Sequence, residues 1–156
     1  MDEEKINRLP PDVKKQFLKY ALKLSEKKIK SKVHDDFMTF VKHVWPEFIE
    51  GKHHKEIADK FNQIAKGEIK RLIINMPPRH TKSEFASYLL PSWMVGRKPD
   101  LKIIQTTHTT ELAIRFGRKA KNLMDSAEYK QVFKTRLRED SQAAGKWETE
   151  QGGGYY

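Results

Sequence analysis

The chain has 156 residues, 33% of them charged and 37% hydrophobic, with 31 Lys plus Arg, 21 Asp plus Glu and no cysteine. That length can bury a core without metal or disulfide staples, and the lack of cysteine excludes thiolate catalysis, zinc ribbons and disulfide scaffolds. No apolar run reaches the roughly 18 to 20 residues that span a bilayer, and Met1-Asp2-Glu3-Glu4 lacks the basic-then-apolar order of a signal peptide. A cytoplasmic protein with no membrane partner is therefore expected.

The net charge of +10 points to a polyanionic partner, and most of it lies in one segment. Between Val13 and Val33 there are eight lysines (14, 15, 19, 23, 27, 28, 30 and 32) and only Glu26, a net +7. Behind the start signal Pro10-Pro11-Asp12, Val13, Phe17, Tyr20, Ala21 and Leu24 recur at helical spacing, with Lys15, Lys19, Lys23 and Lys27 at i, i+4 on a different face. The pattern predicts a basic amphipathic helix. Its lysines are compatible with a plain solvated face, with DNA phosphate contacts, or with docking to an acidic partner or surface. Lysine without arginine or aromatics on that face suits non-specific attraction more than base reading.

A second helix is predicted from Asp36 to Val44, stopping before Trp45-Pro46, and a third from His54 to Lys66, closed by Gly67. The period then changes. Leu72 to Met76 is a short apolar run of the kind that forms a buried strand, followed by Pro77-Pro78 and a polar loop. Ser83 to Val95 reads as a helix, Gly96 to Asp100 as a turn, and Leu101 to Thr107 as a second strand. Thr109 or Thr110 can cap a further helix that buries Leu112, Phe116, Leu123 and Met124, whereas the pattern weakens beyond Tyr129. Strand, helix, strand, helix in alternation predicts an α/β fold with a parallel sheet behind a helical lead-in, with residues 1–68 and 69–156 as the two parts.

The stretch from Met76 to Ser83 lies between a predicted strand and a predicted helix, the setting of a phosphate-binding loop. In the pattern G-x-x-x-x-G-K-S/T, backbone amides and a helix start cradle phosphates, the lysine neutralises them and the hydroxyl reaches magnesium. Lys82 and Ser83 fill the last two positions, while Met76 and Thr81 stand where the glycines would be, so the generic pattern is broken. A capped helix with a surface lysine is the plainer alternative. The six histidines, His53 and His54 included, show no metal-ligand spacing.

The run from Ile69 to Ser83, with Arg71-Leu72 and Pro77-Pro78-Arg79-His80 leading into Lys82-Ser83, resembles the variant Walker A segment of the large terminase subunits of tailed bacteriophages. Thr106-Thr107-His108 with Glu111-Leu112-Ala113 and Arg115-Phe116 looks like that family's second strand and helix. Trp147 with Gly152-Gly153-Gly154-Tyr155 looks like the glycine-rich stretch that leads to its Walker B strand. Together these cover roughly residues 45 to 156.

The resemblance implies a helical lead-in followed by the first βαβα unit of a P-loop ATPase sheet, left incomplete. It also implies a DNA-packaging motor in which ATP hydrolysis drives double-stranded DNA into the capsid, in the cytoplasm of an infected bacterial host. Implied partners are the rest of the large subunit, the small terminase subunit and the portal protein, with a homo-oligomeric ring when complete. ATP would lie on Pro78, Arg79, His80, Thr81, Lys82 and Ser83, with Lys82 on the β and γ phosphates and Mg2+ held by Ser83 through the nucleotide. Arg79 could stabilise charge on the γ phosphate or simply pair with a carboxylate, His80 would shape the loop, and Thr107 would contact nucleotide from the end of the second strand. No Asp-Glu or Asp-Asp strand follows the glycine-rich segment and no adenine-contacting glutamine is evident, so weak nucleotide binding with little turnover is expected of the chain alone. Two rival readings remain: a non-enzymatic nucleic-acid or partner-binding module built on the lysine-rich helix, and a helicase-like P-loop motor.

Overall fold

The computed structural model describes residues 10–156, the side chain of Gln142 excepted. Met1 to Glu4, read above for a leader, lie outside the described residues. Helix α1 (Pro11–Asp35) begins with proline at its first position, where the missing N–H forfeits no intrahelical bond. Asp36 ends it and caps α2 (Phe37–Val44), accepting from the Thr39 backbone N–H at 2.7 Å. The other Asp36 carboxylate oxygen accepts from Asn62 at 2.8 Å, and Asn62 in turn accepts from the Phe37 N–H at 2.8 Å. Partial burial pushes the Asp36 carboxyl up, but the bonds from Thr39 and Asn62 outweigh it and hold the group below the usual carboxylate range. One acid and one amide thus tie the α1–α2 corner to α3 (Lys52–Ala65). Gly67, at φ 78°, closes α3 as the spacing predicts, donating to the Ile64 carbonyl at 2.9 Å.

Residues 82–97 form a single helical run in three parts: α4 (Lys82–Glu84), a π-helical turn (Phe85–Leu89) and α5 (Leu90–Arg97). Pro91 supplies the reason for the wider turn, because its ring would crowd the carbonyl four residues earlier and it has no N–H to donate. After strand β1 (Lys102–Ile103), Thr109 caps α6 (Thr110–Asp125), and Ser126 caps α7 (Ala127–Val132). Strands β2 (Leu137–Gln142), β3 (Trp147–Thr149) and β4 (Gly154–Tyr155) complete a four-stranded sheet in the order β1-β4-β3-β2.

Phe37 lies at the centre of the core, with the rings of Phe61, Phe85 and Trp93 edge-on to it at 5.1 to 5.4 Å. Phe40, Tyr129 and Phe133 extend the cluster towards α7. Its polar tips are satisfied: the Trp93 indole donates to the Val33 carbonyl at 3.2 Å, and the Tyr129 hydroxyl to the Ser92 carbonyl at 2.8 Å. A second nucleus stacks Trp147 on Tyr155 at 5.3 Å, and the Trp147 indole donates to the Gly117 carbonyl at 3.1 Å.

Three expectations need correction. The sheet is mixed, with β1 and β4 parallel and the β3–β4 and β2–β3 pairs antiparallel, because the chain after α7 returns through hairpins that sequence periodicity did not reveal. Leu72 to Met76 forms no strand: it alternates half-buried with exposed residues, Ile73 being 85% exposed, and shares no ladder with the sheet. Strand β1, at the end of the strand order, pairs with β4 on one side, and no strand of the described residues takes its outer edge. Finally, α1 is anchored near its C-terminal end, where Val33 is buried, and Val13, Tyr20 and Leu24 of the expected apolar face are exposed.

Candidate functional site

Pro77 and Pro78 lead from Leu72–Met76 into a turn in which two residues take left-handed backbone, Arg79 at φ 65° and Thr81 at φ 58°. For a β-branched residue this conformation is a true outlier, costing on the order of 1–3 kcal/mol. Thr81 is one of the two positions where the phosphate-loop pattern calls for glycine, so the chain keeps a glycine-like backbone there without the glycine. Residues Pro77 to Glu84 line a cavity of about 310 Å³. Lys82, half-buried, bends back so that its Nζ donates to the Met76 carbonyl at 3.3 Å, across the mouth of the loop. Ser83 is exposed at the start of the helical run.

Neighbouring elements hold this loop on two sides. Glu84 accepts both its bonds from Lys119 of α6 at 2.7 Å, which ties the start of the helical run to that helix. Phe85, one residue further, joins the Phe37 core and also meets the rings of Phe48 and His54 at 5.4 and 5.1 Å. His80 shapes the loop through its Nδ1, 2.9 Å from the Pro78 carbonyl.

The expected phosphate contacts Pro78, Arg79, His80, Thr81, Lys82 and Ser83 all line the one cavity. Arg79 takes part in none of the ion pairs among the described residues. Thr107 is not brought to this cavity: its hydroxyl donates to the Thr109 carbonyl at 2.7 Å, beside the cap of α6. Lys15, Lys19, Lys23 and Lys27 are all exposed on α1, and they form a surface separate from the loop.

A magnesium ion fits here only as part of a nucleotide complex. The loop contributes two hydroxyls, of which Thr81 is engaged by His54 and Ser83 is left, and the carboxylate that lines it, Glu84, is engaged by Lys119. No group of three or more His, Asp or Glu among the described residues could hold a metal ion. The sequence pattern also passed over His54, which stands 27 residues before Thr81 yet approaches its hydroxyl at 2.6 Å. Nothing in the local spacing marks that contact. No helix of the described residues is long and apolar enough to cross a membrane. No family model, curated protein or solved structure matches the chain.

Proposed function

We propose that this chain is the nucleotide-binding opening of a DNA-packaging ATPase of the terminase large-subunit kind, with ATP and Mg2+ taken up on the loop from Pro77 to Ser83. The observation that carries the reading is Thr81: at a glycine position of the pattern, a β-branched residue is held at φ 58°, directly before Lys82 and Ser83. Strained backbone of this kind clusters at ligand clamps and active sites. In this reading Lys82 exchanges the Met76 carbonyl for the β and γ phosphates, and Arg79 reaches over the γ phosphate from the same cavity. Bound magnesium would neutralise phosphate charge, and Ser83 is the residue that would hold it through the nucleotide.

Lys82→Ala is expected to weaken Mg-ATP affinity at least about tenfold, the loss of one charge-assisted phosphate contact. Isothermal titration calorimetry on the purified chain measures this. Equal affinity in the two proteins would remove the loop from any nucleotide role.

The surface of α1 supports double-stranded DNA as the polyanionic partner. Its four regularly spaced lysines are exposed on a helix about 37 Å long that is buried only at Val33. Replacing Lys15, Lys19 and Lys23 together with glutamine should reduce the slope of log affinity against log salt for duplex DNA by up to about 3, with Lys82→Ala leaving it unchanged. An unchanged slope in the triple variant would take DNA off this helix.

A further inference from the structure

We propose that His54 is a positioning residue that holds the phosphate loop in its binding shape, by donating from Nε2 to the Thr81 hydroxyl across the boundary between the helical lead-in and the loop. This inference rests on the loop being a nucleotide site.

The network assigns the proton. The Gly51 backbone N–H donates to His54 Nδ1 at 2.9 Å, so Nδ1 carries no hydrogen and the neutral ring must carry its proton on Nε2. That nitrogen lies 2.6 Å from Thr81 Oγ1 and 3.0 Å from His53 Nε2, and its single hydrogen goes to the nearer hydroxyl. His54 is 7% exposed, and its ring packs against those of Phe48 and Phe85 at 4.8 and 5.1 Å between centroids. Two ring contacts and two hydrogen bonds thus fix its orientation.

Thr81 is where such support is needed. Glycine would hold φ 58° without strain, whereas threonine holds it against the clash of its own Cβ. The hydroxyl that comes with that Cβ is the atom His54 grips, so the bond from α3 offsets the strain of the residue that breaks the pattern.

The groups facing His54 are His53 on α3, Glu50 in the α2–α3 connection and His80 in the loop. Burial and then the neighbouring His53 push its pKa below the ordinary imidazole value, against a smaller opposing pull from Glu50. The linkage sign follows. The contact is complete above about pH 6.5, where a free imidazole is neutral, and is lost as pH falls through the lowered folded value. Protonation would place a hydrogen on Nδ1 against the Gly51 N–H, two donors face to face.

The test is a double-mutant cycle on the whole chain, reading Mg-ATP affinity by calorimetry. His54→Ala should weaken binding about tenfold in the natural background and less than about twofold in a Thr81→Gly background, where no strained residue needs holding. His54→Asn separates the clamp from helix capping, because its Oδ1 can still accept from Gly51 but the shorter side chain falls short of Thr81. It should still fold, with one cooperative melting transition at a lowered temperature, and weaken ATP about tenfold when titrated well below that temperature. Equal losses from His54→Ala in the two backgrounds, or natural affinity in His54→Asn, would overturn the proposal.

Were the natural chain to bind no ATP, the function proposed above would fail, and the clamp would be judged on the ligand-free protein. Nitrogen chemical shifts should report the Nε2–H tautomer of His54. Amide exchange at Thr81 to Ser83 should speed up in His54→Asn, and in the natural protein as pH drops below the His54 transition. The opposite tautomer, or exchange unaltered by the substitution, would sink the clamp independently of nucleotide.

Discussion

Replacing Phe37 by alanine is expected to remove about 3–5 kcal/mol of stability, the usual cost of deleting a fully enclosed aromatic ring. Phe37 has no exposed surface, and three rings, one from α3 and two from the helical run 82–97, meet it edge-on. Its backbone N–H is also held by Asn62, so the main chain cannot readily follow the vacated volume inward. With a total stability of about 5–15 kcal/mol for a domain, the variant should be close to unfolding. Urea denaturation would show a lowered midpoint at an unchanged slope. Phe37→Leu, which keeps much of the volume, should lose less than half as much. A cost below about 1.5 kcal/mol for the alanine variant would mean that the cluster collapses into the cavity. Because Phe85 lies between Phe37 and His54, a partially folded variant should also lose order at the loop.

Gly153→Ala is expected to be the most damaging small substitution in the sheet. A Cβ at that position would lie 2.3 Å from the Pro99 carbonyl oxygen and 2.6 Å from that of Leu101. Neither oxygen is free to retreat: Leu101 accepts from Gly154 at 2.9 Å in the β1–β4 pairing, and Pro99 accepts from the Thr149 hydroxyl. Overpacking of this kind costs about 1–3 kcal/mol, and the upper end is expected because backbone must move. Gly152 is the control, with φ 85° and open space around its missing side chain, so alanine there meets only backbone strain. Thermal melting should rank Gly153→Ala below Gly152→Ala, and the reverse order would place the close approach elsewhere. The triple glycine has a complete structural reason in this hairpin, one glycine for the turn and its neighbours for contact with crossing backbone.

Much of the helical half was legible because its signals are local. Pro11, the Asp36 cap, the stop before Trp45-Pro46 and the Gly67 closure each act within a turn of the residue that causes them, and each boundary falls within about two residues of expectation. The candidate loop was legible for the same reason: proline, lysine and serine at fixed offsets lie within eight consecutive positions. The strands were harder. Leu72 to Met76 has the composition of a strand and even its alternation, but whether such a segment joins a sheet depends on an edge contributed from elsewhere in the chain. Residues beyond Tyr129 form three of the four strands from short, charged stretches such as Leu-Arg-Glu-Asp-Ser-Gln, whose pairing is set by partners and not by propensity.

The sequence by itself determined where α2 and α3 start and stop, where the lysines concentrate, and which eight residues are arranged like a phosphate loop. Only the tertiary structure decided that Thr81 occupies the glycine conformation, that Lys82 folds back over the loop, and that His54 stands against Thr81. The division has a physical basis. Helix caps and turns are satisfied within a few residues, whereas a strained backbone persists only when packing from distant parts of the chain holds it there.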